Sequence, residues 1–147
     1  MTTLHVQDWK NPPSAEICKS YLRSQTINTL RFILQSGNYV SIITNGTAYR
    51  ISWVLLQAGL TQQEIDKISI KAAESPLKIV PKFKPAAILK LAEEWNDAKH
   101  HYFYDDRDNF CTEVWEMNNE FKKRGKKLHV MLVSREPNDC SHLGYAW

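Results

Sequence analysis

The chain predicts an α/β fold with a parallel sheet flanked by helices. Three observations carry that expectation. Short β-branched or aromatic runs alternate with longer stretches whose apolar residues recur at helical spacing. The run 39–44 is nearly continuous in hydrophobicity, as a strand covered on both faces requires. Glycine and proline punctuate the boundaries between these segments.

In chain order, Pro12-Pro13-Ser14 opens a helix, because proline is tolerated in a first helical turn. Residues 24–35 place Ile27, Leu30, Ile33 and Leu34 on one helical face, and Gly37 supplies a left-handed stop. A strand follows over 39–44, then a helix over 48–58 stopped by Gly59. Thr61-Gln62-Gln63-Glu64 is a capping box for a short helix. Residues 68–71 read as a strand, and 74–81 as a loop with a small extended piece at 78–80. Pro85 starts a helix with Ile88, Leu89, Leu91, Ala92 and Trp95 on one broad face. A strand over 101–104, one helix over 109–123 stopped at Gly125, and a buried strand over 128–133 complete the regular part. No repeat or linker interrupts this order. The expectation is one domain over 1–147, with a core at about 24–133 and a tail from 134 to 147.

With 147 residues, 43% hydrophobic and 24% charged, the chain has the composition of an ordinary globular domain. No apolar run approaches a membrane span. Met1-Thr2-Thr3-Leu4-His5 lacks the basic and apolar parts of a secretion signal. Cys18, Cys111 and Cys140 are odd in number and widely spaced, so a reducing, cytoplasmic setting is the expectation. A net charge of +3 does not by itself argue for nucleic acid.

Two strand ends draw attention. The run His100-His101-Tyr102-Phe103-Tyr104 ends in Asp105-Asp106, and 39–44 ends in Thr44-Asn45-Gly46. In open parallel sheets the carboxyl edge is where ligands bind. A hydroxyl and paired carboxylates there make a phosphate-and-metal site.

The segment from Gly37 to Gly46, followed by a helix and Gly59-Leu60, resembles the second motif of haloacid-dehalogenase-like phosphohydrolases. By that resemblance Thr44 would donate a hydrogen bond to the transferring phosphoryl group. The third motif, a lysine near a helix start, resembles Lys84 in Phe83-Lys84-Pro85, with Lys82 as competitor. The fourth, an acidic strand end that binds Mg²⁺, resembles Tyr104-Asp105-Asp106. The resemblance covers roughly residues 26–133 and implies a single Rossmannoid domain with little or no cap. It implies Mg²⁺-dependent phosphate monoester hydrolysis, with a phosphorylated small molecule or macromolecule as partner.

The family's first motif, a strand ending in Asp-x-Asp, is missing before Thr44. In one alignment residues 4–7 form that strand, Asp8 is the nucleophile and Lys10 replaces the acid/base. In the other, Thr3-Leu4 is the remnant of the Thr-Leu that follows the acidic pair. The departure gives the alternative expectation: an inactive module binding a protein partner or a phosphorylated ligand.

Structural readings stand beside these. Thr44 could cap the helix that follows, Asp105 and Asp106 could cap the one near 109, and Lys82 and Lys84 could be solvated. The run Lys122-Lys123-Arg124-Gly125-Lys126-Lys127 reads as a solvated helix end, with nucleic acid or anionic lipid as the other reading. Cys140 and His142, with Cys111 and the His100-His101 pair, match no standard zinc spacing. Cys18 and Cys111 read as structural rather than nucleophilic. Trp53, Trp95 and Trp115 read as core, and Trp9 and Trp147 as terminal segments docked on their own domain.

Overall fold

A computed structural model describes residues 24–75 and 78–133. They form two compact units, a first up to Val80 and a second from Pro81. Both are α/β and both are built on a pair of parallel strands.

The first unit opens with α1 (Ser24–Gln35). Its end is fixed locally: the amides of Gly37 and Asn38 donate to the Leu34 and Ile33 carbonyls at 3.2 and 3.3 Å. Gly37 takes φ 78°, which a side chain would resist. Strand β1 (Val40–Thr44) follows, then α2 (Ala48–Ala58), α3 (Gln62–Asp66) and β2 (Ile68–Ala72). Thr47, rather than Thr44, caps α2, its hydroxyl accepting from the Arg50 amide at 3.3 Å. The predicted capping box is present in full. The Thr61 hydroxyl accepts from the Glu64 amide at 3.1 Å, and Glu64 accepts from the Thr61 amide at 2.9 Å. Glu64 also holds Arg31 at 2.9 Å, and Arg31 donates to the Gly59 carbonyl, tying α1 to the α2–α3 junction. β1 and β2 run parallel from Val40↔Ile68 to Thr44↔Ala72. Ile27, Ile51, Leu55, Leu60, Ile65 and Ile68 form the core beneath them.

The second unit comprises α4 (Phe83–Glu94), β3 (His100–Asp105), α5 (Asp108–Trp115), α6 (Asn118–Lys123) and β4 (Lys127–Leu132). β3 and β4 are parallel from His100↔Lys127 to Asp105↔Leu132. Along β3, His101 and Phe103 are buried while His100, Tyr102 and Tyr104 are exposed. One face of this pair is therefore core, packed by α5 and α6 through Phe110, Val114 and Phe121.

Several expectations are corrected. The extended piece at 78–80 lies within the loop and belongs to no described strand. Helix α4 starts at Phe83, two residues ahead of Pro85. The single helix over 109–123 is two helices. Met117 bonds back three residues to Val114, and the Asn118 amide side chain takes the Trp115 carbonyl at 3.0 Å, competing with the helical ladder. Trp115 is exposed, since the buried face of α5 consists of Phe110, Cys111 and Val114. The end of β4 is exposed too, at Met131 and Leu132, as is Val133 just after it, so this pair is not covered on both faces. A single sheet is not what the described residues form: they give two two-stranded pairs. The proposed first strand at 3–7 lies outside the described residues, as do Asp8, Cys18, Trp9, the helix opening at Pro12 and the tail from 134.

Candidate functional site

Parallel pairing of β3 with β4 carries the chain to its acidic end at Asp105. Helix α4 places Lys84, its second residue, against that end. Lys84 Nζ lies 2.5 Å from Asp105 Oδ2, and the two side chains are only 12% and 8% exposed. The other carboxylate oxygen, Oδ1, accepts the Arg107 amide at 2.9 Å. Phe110 supports the pair from α5: Lys84 Nζ sits 4.4 Å from its ring centroid, and the Arg107 guanidinium carbon 5.6 Å. A nearly buried ion pair with this many supports is fixed in geometry, and losing one partner would strand the other's charge.

Of the two lysines the sequence offered, Lys84 is the one brought to the carboxylate. Lys82 is exposed, occupies a left-handed residue at the start of α4 (φ 60°), and makes no side-chain capping bond. Asp106 is half-buried in the turn that follows β3. The N-cap of α5 is Arg107, which carries no side-chain capping bond, and Asp105 takes its backbone amide.

Thr44 belongs to the first unit. It is buried at the end of β1, and its hydroxyl oxygen accepts from the Gly46 amide at 3.0 Å. The loop after β2 braces this strand end. Ala73, Ser75 and Glu74 amides donate to the carbonyls of Thr44, Asn45 and Gly46 at 2.9–3.0 Å. The Val80 amide donates to the Asn45 side chain at 3.0 Å, and Glu74 reaches the first amide of α2, Ala48, at 3.3 Å.

The zinc reading finds no support among the described residues, where no three of His, Cys, Asp and Glu come together. Strand alternation splits the His100-His101 pair onto opposite faces. Cys111 is buried, its sulfur 3.7 Å from the Asp105 carbonyl. Burial pushes its thiol up, and the Asp105 and Asp108 charges push the same way, which argues against a nucleophile. Cys140 and His142 lie outside the described residues.

The sequence reading missed Lys126. It looked like one more member of a solvated basic run, yet it is buried, and its ammonium donates to the carbonyls of Trp95, Asn96 and Ala98 beyond the end of α4. Nothing local in the sequence separates it from Lys122, Lys123 and Lys127, because its partners lie some thirty positions away. Comparisons with protein-family models, with curated proteins and with solved structures find no match.

Proposed function

We propose that the chain handles a phosphoryl group as a haloacid-dehalogenase-like domain, with Mg²⁺-dependent hydrolysis of phosphate monoesters as its activity. The observation that supports this reading is the Lys84–Asp105 pair at the carboxyl end of β3. Motif order alone nominated those two residues, and they meet at 2.5 Å across 21 positions of sequence. In this reading Asp105 holds the Lys84 ammonium in place, and the ammonium balances the charge of an incoming phosphoryl group. Asp105 and Asp106 are hard oxygen donors of the class Mg²⁺ takes, one or two carboxylates sufficing alongside substrate oxygens. Bound there, the ion would supply electrostatic stabilisation of the phosphoryl charge. The roles of Asp8 as nucleophile and Thr44 as hydrogen-bond donor rest on sequence order.

One observation favours a second reading, an inactive module that binds a phosphorylated ligand or a protein partner. Both oxygens of Asp105 are already engaged by the chain itself, one by Lys84 and one by the Arg107 amide. Phosphate release from p-nitrophenyl phosphate, with and without Mg²⁺, separates the two. Turnover that needs Mg²⁺ and is lost in both Asp8→Asn and Asp106→Asn is the expected result. A folded wild-type protein with no turnover would leave only the binding module. Lys84→Met should cost about 3 kcal/mol of stability by stranding Asp105, so its activity is read together with its urea midpoint.

A further inference from the structure

The outer face of the β3–β4 pair has a composition that an ordinary solvated sheet face does not. Pleating and register bring His100, Tyr102 and Tyr104 of β3 beside Lys127, His129 and Met131 of β4. Four of these six residues are aromatic rings, one is a cation, and none is an acid. Tyr102 and Tyr104 are 59% and 60% exposed.

The rings are ordered relative to one another. Tyr102 stacks on His129 with centroids 4.5 Å apart and planes 12° apart. His129 and His100 are also near-parallel, at 15°, but their centroids are 5.4 Å apart while Nδ1 of His100 lies 3.2 Å from Nε2 of His129. Those distances place the two imidazoles edge to edge, joined by an N–H···N hydrogen bond, and so forming one broad plane. The 3.2 Å between the nitrogens is too short for a metal ion bridging them, since each metal–nitrogen bond needs about 2 Å. Cations gather at the amino-terminal edge of the same pair. Lys99, Lys122, Lys123, Arg124 and Lys127 are all exposed there, with Lys123 held to Glu120 and Arg124 to Glu93. At the opposite edge stand Asp105, Asp106 and Asp108.

We propose that this face binds single-stranded nucleic acid, with bases stacking on the tyrosine and histidine rings and phosphates running over Lys127 toward the basic edge. Flat exposed π-faces together with nearby cations match a ligand made of planar bases on an anionic backbone. An acidic peptide would use the cations and leave the ring faces without partners, and an aliphatic surface would match only Met131. The proposal is independent of the phosphoryl reading, which uses the ends of the strands rather than their face.

The test is fluorescence anisotropy of the full chain with labelled oligouridine and oligothymidine of about 12 nucleotides, at neutral pH. The two oligomers differ in the ribose 2′-hydroxyl and in the thymine methyl, and binding to either meets the expectation. The expected result is binding that weakens about tenfold from about 50 to about 200 mM salt, as two or three neutralised phosphates require. Tyr102→Ala and Tyr104→Ala should each weaken it about tenfold through lost stacking. Both side chains are exposed, so the variants should keep the wild-type circular dichroism. Phe32→Ala, which removes an equally exposed ring from α1, should change nothing. Absence of binding overturns the proposal, as does binding that ignores both tyrosines. So does concentration-dependent self-association that Tyr102→Ala abolishes, because the face would then belong to a second copy of the chain.

Discussion

His101 shows how one position in a strand sets a titration. Its neighbour His100 faces outward, while alternation along β3 turns His101 into the core. There its ring lies near-parallel to Trp95 at 6.1 Å and edge-on to Phe121 at 5.3 Å. Its Nε2–H faces the Ala98 carbonyl at 3.3 Å, which fixes the neutral tautomer. Burial holds its pKa below the ordinary 6.5, the Lys126 charge adds to that, and the Ala98 carbonyl opposes it. The unfolded chain therefore takes up a proton before the folded chain does. Stability should be full above the unfolded value and should fall as pH drops through 6.5 toward the folded value. His101→Phe removes this site, so its urea midpoint should lose less than the wild type's between about pH 8 and about pH 5. Equal losses would mean that other groups carry the acid slope. The sequence presented His100 and His101 as a pair; only the pleat, once the strand is placed, says that they part.

Whole elements were legible where their signals are local. The ends of α1 and α2 follow from Gly37 and Gly59, and α3 follows from Thr61 and Glu64, because each of those hydrogen bonds closes within a few residues. The break between α5 and α6 was not legible, since Asn118 and Asn119 are only mildly poor helix formers and the competing bond from Asn118 shows only in three dimensions. The end of α4 was hidden for a stronger reason. The carbonyls just beyond it, of Trp95, Asn96 and Ala98, take hydrogen bonds from Lys126, the residue before β4. Removing that ammonium loses its charge-assisted hydrogen bonds to all three carbonyls. Lys126→Ala should therefore cost about 1–3 kcal/mol in urea unfolding. Lys123→Ala, from the exposed ion pair with Glu120, should stay within about 0.5 kcal/mol. Similar losses in the two variants would show that Lys126 is only one more surface charge.

At the scale of the whole molecule, alternation of periodicities was enough for the α/β class and for parallel strand pairing. It could not say which strands neighbour which, because pairing joins residues some 28 positions apart. It also overestimated burial at the end of β4, where Met131, Leu132 and the following Val133 are hydrophobic but exposed. Of the candidate site, motif order nominated Lys84 and Asp105 separately, for phosphoryl group and metal, and their ion pair, with Lys84 rather than Lys82, came only with the placement of α4. Asp8 lies outside the described residues. Four amides from residues 73–80 grip the turn at 44–46 through its carbonyls and the Asn45 side chain. Ordering a loop of that kind costs about 1–2 kcal/mol per residue in backbone freedom. Here the cost is met when the chain folds, so the turn that ends β1 is held in one conformation by the chain's own hydrogen bonds.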